Sequence, residues 1–265
     1  MKRFTTAVLI GVIPLAPLRA QEVAYEGGIG LATGKYFYTT RTTSWTISTG
    51  LAYSPGRLVL RAGLPVYVQN SSLVRGSGAG MMPSGGARGG GGGMGGGGMT
   101  GGGGAAQFRA AAGDPIVQAG WRPVGGARTG VTISAAAKLP VTDTTDYGTG
   151  EWDVGGILSL TRHVGATVFL GVDLSYWHLG DPPTLDFRDP VTATASASDV
   201  FAKVWGASVF VTGGTSALRG YEAPVSLGAI ITRLGKGSLW GLTATVGFTE
   251  TVPDFAIGAS WRIGL

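Results

Sequence analysis

Five charged side chains stand out because each falls in a stretch where polar and apolar residues alternate. They are Arg61, Lys138, Asp153, Asp173 and Arg262. If they face a shared aqueous interior, such groups could form a polar constriction that orients a small solute. They could equally neutralise one another in a filled interior, and the pattern leaves both possibilities open. A loop centred near residue 145 or 146 would place Lys138 and Asp153 opposite one another on neighbouring strands.

Catalytic and metal-binding chemistry has weaker support. The chain has only 2 histidines, and His178 could be drawn with Ser175 and Asp173 as a hydrolase constellation. Alternation along a strand, however, puts Asp173 and Ser175 on one face and His178 on the other, without a nucleophile-elbow motif. The glycine runs lack the Gly-Lys-Ser/Thr of a phosphate-binding loop. We therefore expect no enzymatic activity, no cofactor and no metal site.

A two-residue period in side-chain character recurs through most of the chain. The clearest example is VTATASAS at 191–198, where Val191 and three alanines alternate with threonine and serine. Such alternation is typical of β-strands with two different faces. We predict about twelve strands, at 23–33, 42–53, 57–69, 114–122, 129–140, 151–162, 166–178, 188–197, 200–212, 221–233, 238–249 and 254–265.

The length and composition of these strands favour a membrane barrel over a soluble sandwich. They approach the roughly 9 to 11 residues of a tilted membrane-spanning strand. One face is aliphatic with aromatic residues toward the ends, and the other is rich in glycine, serine and threonine. Hydrocarbon also requires internal pairing of every backbone polar group, which among strand structures only a closed barrel provides. The sequence therefore predicts an all-β fold, a transmembrane antiparallel β-barrel of about 12 strands with up-and-down topology.

The predicted connections alternate between short and long. Outer-membrane barrels show the same asymmetry, with tight periplasmic turns and longer external loops. The run RGGGGGMGGGGMTGGGG at 88–104 then falls in an external loop at 70–113. We expect this loop to be largely disordered, because glycine loses the most backbone freedom on ordering and offers no side chain to bury.

The first residues have the order of a secretory signal peptide. Lys2 and Arg3 precede a short apolar run, and Ala20 stands before the predicted cleavage point, so residues 1–20 are assigned to the signal and 21–265 to the barrel. Removing that segment takes away Lys2, Arg3 and Arg19, so 20 basic residues fall to 17 against 15 acidic residues. Such a balance gives no reason to expect nucleic-acid binding. The absence of cysteine excludes a disulfide scaffold.

Four stretches resemble an outer-membrane family associated with the meta-pathway of phenol degradation. They are GDPIVQAGWRP at 113–123, AAAKLPVTDTTDYGTGEWDVGGILSLTRHVG at 135–165, DLSYWHLGDPP at 173–183 and PDFAIGASWRIGL at 253–265. The resemblance covers most of the mature chain. It implies a twelve-stranded barrel with a part in the passage of small, often aromatic, compounds.

Two hypotheses about function follow. The leading one is an outer-membrane channel or transporter-like barrel for small solutes, aromatic or hydrophobic ones included, whose partners are the lipid bilayer and the solute. In this hypothesis, the loop at 70–113 either gates the channel entrance or only lies beside it. The alternative is a non-conducting structural or surface-display barrel whose external loops bind partners. The residues favour no particular oligomeric state.

Overall fold

The computed structural model describes residues 22–36, 41–71, 73–83, 108–126, 128–142, 147–181 and 187–265. Both the predicted signal peptide and the glycine run at 88–104 lie outside these ranges. Within them, no helix is long and apolar enough to cross a membrane. The strands are β1 (Val23–Gly34), β2 (Thr42–Tyr53), β3 (Leu58–Gln69), β4 (Val74–Ser77), β5 (Gly80–Pro83), β6 (Arg109–Ala112), β7 (Ile116–Gly125), β8 (Thr129–Lys138), β9 (Asp153–Val164), β10 (Val168–Leu179), β11 (Val191–Phe201), β12 (Trp205–Gly214), β13 (Val225–Gly235), β14 (Ser238–Gly247) and β15 (Phe255–Gly264).

The strands close into an antiparallel barrel. Each wall strand pairs with its neighbours in the chain, and β1 pairs with β15 to complete the circle. Both β6 and β7 pair with β3, so they form one wall strand that is interrupted at residues 113–115. Counted in this way the wall has 12 strands in up-and-down order, which confirms the predicted fold class.

The two faces of the wall differ as the alternation predicts. In β11, Ala193, Ala195 and Ala197 point outward, while Thr194 is buried inside and its hydroxyl lies 2.9 Å from that of Thr212. The outward face of the whole barrel carries large exposed aliphatic side chains, among them Ile47, Leu51, Leu170, Val209 and Leu242. Soluble proteins do not expose a continuous apolar belt of this kind, so the exterior is suited to hydrocarbon.

The barrel has a long-loop end and a short-turn end. The chain enters β1 and leaves β15 at the short-turn end, where the strands are joined by tight turns such as the one between β13 and β14. The connections at the opposite end, including residues 70–108 and 139–152, are much longer. This arrangement follows the predicted alternation of loop lengths.

The structure differs from the prediction at the loop assigned to 70–113. Residues 109–112 extend the barrel wall as β6, and residues 74–83 form a separate two-stranded hairpin, β4 and β5. The hairpin is buried among inward-facing wall residues, so this part of the predicted external loop is folded and internal.

A second difference is the turn predicted at Ser198 and Asp199, which lies instead after Phe201, where Ala202 and Lys203 adopt positive φ of 49° and 64°.

The inward and outward assignment predicts opposite effects for two adjacent residues of β11. Replacing outward-facing Ala195 with arginine should lower the free energy of unfolding by about 2 to 4 kcal/mol, because the charge enters the middle of the apolar belt. The matched variant Ser196→Arg, whose side chain points into the interior, should cost much less. Reversible denaturant unfolding from lipid vesicles measures both. A larger loss for Ser196→Arg would contradict the assignment.

Candidate functional site

The inner hairpin, residues 74–83, lies across the barrel interior near the long-loop end. Alternation along β5 gives its two methionines different neighbours. Met81 packs in a buried cluster with Tyr67 and Tyr147, and Met82 packs in a second cluster with Trp177 and Phe187. The hairpin therefore makes apolar contacts on both of its sides, with the wall and with the loops at that end.

Glycines allow the hairpin to approach the wall closely. The Trp177 indole lies against Gly155 of the wall and against Gly78 at the tip of the hairpin, and a Cβ atom on either glycine would overlap it. Gly76 lies in the same way against the Tyr67 hydroxyl. Only glycine lets a backbone come this near to an aromatic ring. The hairpin is thus fitted to these two aromatic side chains.

Asp153 joins the tip of the hairpin to the wall. Its Oδ2 accepts a 2.6 Å hydrogen bond from the Gly78 N–H, and its Oδ1 accepts one of 3.2 Å from the Gly180 N–H. Lys138 lies directly opposite in the pairing of β8 with β9, and its Nζ is 3.6 Å from Asp153 Oδ2. The Lys138 and Asp153 side chains are only 1% and 2% exposed.

Lys138 also binds the start of the neighbouring wall strand and the loop that follows β8. Its Nζ is 3.3 Å from Asp114 Oδ2, donates to the Glu151 carbonyl oxygen at 2.7 Å and contacts the Thr149 hydroxyl. Asp114 in turn accepts backbone hydrogen bonds from Thr142 at 3.0 Å and Thr149 at 3.1 Å. Buried charges are tolerated when they are paired and hydrogen-bonded in this way. Lys138 and Asp153 are thus ion-paired in a buried part of the interior, with Lys138 shared between Asp153 and Asp114.

The arginine cluster, formed by Arg61, Arg122, Arg262 and Glu26, lies inside the barrel toward the short-turn end. Glu26 Oε1 accepts a 2.9 Å hydrogen bond from Arg262, and Glu26 Oε2 is 3.7 Å from Arg61 Nε. Arg122 lies on the inner face of β7, next to Trp121, which pairs with Leu58 of β3 at the short-turn end. The Arg61 and Arg262 side chains are 28% exposed and Glu26 is 17% exposed, so this cluster is only partly buried.

Asp173 is the remaining residue singled out from the sequence. It lies on the inner face of β10, opposite Ser159 of β9 and Thr194 of β11. Within the part of the chain that the structure describes, it forms no ion pair. The five predicted residues therefore divide into a buried pair, two members of the arginine cluster and one inward carboxylate that belongs to neither group.

Sequence reasoning missed three charged members of these groups, Glu26, Asp114 and Arg122. The alternation already held the signal for two of them, since Glu26 lies between outward-facing Tyr25 and Gly27, and Arg122 follows outward-facing Trp121. Asp114 lies in the interruption between β6 and β7, outside any strand, so the two-residue alternation predicts no direction for its side chain. The inner hairpin had no signal of its own, because its sequence continues directly into glycine-rich residues.

The structure does not assemble the hydrolase constellation. Ser175 and Asp173 point inward, whereas His178 points outward with its Nδ1 3.1 Å from Asp189 Oδ1. The Tyr176 hydroxyl donates to Asp189 Oδ2 at 2.5 Å, and this hydrogen bond holds the pKa of Asp189 below its usual value. Nor do the described residues include three or more His, Cys, Asp or Glu side chains grouped as metal ligands.

Comparison with known proteins identifies the fold. No family model matches the sequence, and no curated protein matches it. Among solved structures, an outer-membrane channel from Pseudomonas putida aligns with a TM-score of 0.61 and 10% identity, covering 91% of this chain and 94% of that one. The NanC porin aligns at 0.52 with 5% identity, covering 92% and 100%. The CymD monoaromatic hydrocarbon channel aligns at 0.51 with 10% identity, covering 100% and 94%.

These similarities establish a shared barrel fold of the outer-membrane type. Identities of 5% to 10% are too low to carry a solute from one protein to another. They do not confirm membership of the phenol-degradation family, which stays a prediction. The chain resembles outer-membrane channel barrels in architecture.

The buried network predicts a specific cost for removing its cation. Lys138→Met leaves Asp114 and Asp153 buried without their basic partner, and we expect the free energy of unfolding to fall by about 3 to 5 kcal/mol. The matched variant Lys236→Met removes an exposed lysine from a turn and should leave stability unchanged. Denaturant unfolding from vesicles compares them. Equal stability of the two variants would show that the network does not stabilise the barrel.

Proposed function

We propose that the protein is an outer-membrane channel, exported through a signal peptide at residues 1–20, that passes small solutes through the barrel interior. The observation that carries the proposal is the contrast between the two faces of a closed wall. Outside is a belt of exposed aliphatic side chains, and inside are hydroxyls, glycines and charged groups. Only a barrel that separates hydrocarbon from water uses both faces in this way.

In this proposal the long-loop end of the barrel faces the outside of the cell, and the inner hairpin forms the constriction of the channel. The hairpin belongs to a separate sheet and shares no strand pairing with the barrel wall. Besides its apolar contacts, hydrogen bonds hold it, among them Gly78 to Asp153, Arg75 to the Gly148 carbonyl and Gln69 to the Val74 carbonyl. Because the hairpin is a separate sheet from the wall, it can be displaced without unfolding the wall.

Displacement of the hairpin would uncover a surface that favours aromatic or hydrophobic solutes. Tyr67 and Tyr147 meet edge to face with ring centroids 5.8 Å apart, and Trp177 and two methionines complete the apolar surface around the hairpin. Aromatic and thioether side chains adapt well to flat apolar ligands. That one structure of similar fold is a monoaromatic hydrocarbon channel supports the same solute class.

A second function is favoured by one observation, the depth at which the hairpin is buried. Val74 and Met82 are fully enclosed, so the interior near the long-loop end is filled. A permanently filled barrel would conduct nothing and would serve as a structural or display barrel whose loops bind partners. Conductance separates the two functions.

Removing the inner hairpin tests the proposal. Deleting residues 74–105 leaves seven residues (70–73 and 106–108) to join Gln69 to Arg109, which are already paired across β3 and β6. We expect the deletion to raise single-channel conductance in planar bilayers, because the constriction is gone. A control deletion of residues 88–104 removes only the glycine run and should conduct like the intact chain.

Migration of each variant on gels before and after boiling shows whether the barrel has folded. A folded barrel that conducts nothing, with or without the hairpin, would overturn the channel and favour the display function.

A further inference from the structure

We propose that the arginine cluster is an anion-binding site that makes the channel select small carboxylate solutes over cations. This inference rests on the proposed channel function and names the chemistry of its solutes. It concerns Arg61, Arg122, Arg262 and Glu26, on β3, β7, β15 and β1.

The first argument is charge. The cluster holds three arginines and one glutamate, so two positive charges are left uncompensated by acidic side chains. Glu26 is shared between Arg61 and Arg262, and Arg122 has no ion pair within the described residues. Like charges held close together repel, and an incoming anion relieves that repulsion.

The second argument is hydrogen-bonding capacity. Arg61 Nε is shielded from solvent and finds no acceptor in the part of the chain that the structure describes, since Glu26 is 3.7 Å away. Guanidinium groups present parallel N–H donors that match the two oxygens of a carboxylate. The cluster therefore has an unused guanidinium donor on Arg61, whose side chain is partly exposed.

The third argument is position. β7, β3, β2, β1 and β15 are consecutive in the wall, so the cluster lines one side of the interior toward the short-turn end. On the opposite side, β11 and β12 present inward Ser198 and Ser208, while Asp199 points outward. Because a 12-stranded barrel has limited internal room, a solute crossing this level passes close to the arginines.

Other inward carboxylates do little to cancel this field. Asp114 and Asp153 are buried and bound to Lys138 and backbone donors at the long-loop end. Asp173 lies on a different wall, in the middle of β10. The accessible positive charge is therefore concentrated at the short-turn end.

Ion selectivity of the full-length protein in planar bilayers tests the inference. In a gradient of potassium benzoate, the reversal potential should show that benzoate is more permeant than potassium. Arg122→Gln should lower that permeability ratio by about two- to threefold, because one of the two uncompensated charges is lost. Glu26→Gln should raise it, because a negative charge is removed from the same place.

The matched control is Arg162→Gln, which removes an outward-facing arginine from β9 near the same end and should leave the ratio unchanged. A conducting barrel that prefers potassium, or whose preference is unmoved by Arg122→Gln and Glu26→Gln, would overturn the inference and leave the channel standing. Absence of any conductance in the folded barrel would overturn the channel and the inference together.

Discussion

Pairing between β1 and β15 is the interaction on which the rest of the structure depends. It runs from Ala24 opposite Gly264 to Thr33 opposite Phe255 and removes the last free edges of the sheet. In hydrocarbon an unpaired edge would leave backbone donors and acceptors without partners, at a cost of several kcal/mol each. Closure also fixes which way every side chain points. Glu26 and Arg262 face each other across this seam, so part of the arginine cluster is created by closure itself.

The interior is divided into two chemically different levels by the residues that closure turns inward. Toward the long-loop end, the inner hairpin fills the space and its tip is bound by Asp153, which forms an ion pair with Lys138. Toward the short-turn end the arginines stay partly exposed. The same types of charged residue therefore have different roles, because burial and the number of hydrogen-bond partners differ between the two levels.

The barrel wall could be predicted from the sequence because every wall strand turns one face to hydrocarbon and the other to water. Apolar and polar side chains therefore alternate along each strand. Lys138 and Asp153 could be placed opposite one another because the length of the loop between β8 and β9 sets the register. The inner hairpin could not be predicted, since its position depends on close approach to Trp177, a tertiary contact without a periodic pattern. The turn at Ala202 and Lys203 was missed for a related reason. Its positive φ angles occur without the glycine or asparagine that usually marks such a turn.

The central claim is that water wets the inner face of the wall and hydrocarbon wets the outer face. Because the chain has no cysteine, single cysteines can report each face without background. Leu242 and Thr243 are adjacent in β14, with Leu242 exposed on the outer surface and Thr243 turned inward. In lipid vesicles, a small water-soluble maleimide should modify Thr243→Cys and spare Leu242→Cys until the protein is denatured. Rapid modification of Leu242→Cys in the folded, lipid-embedded protein would contradict the account.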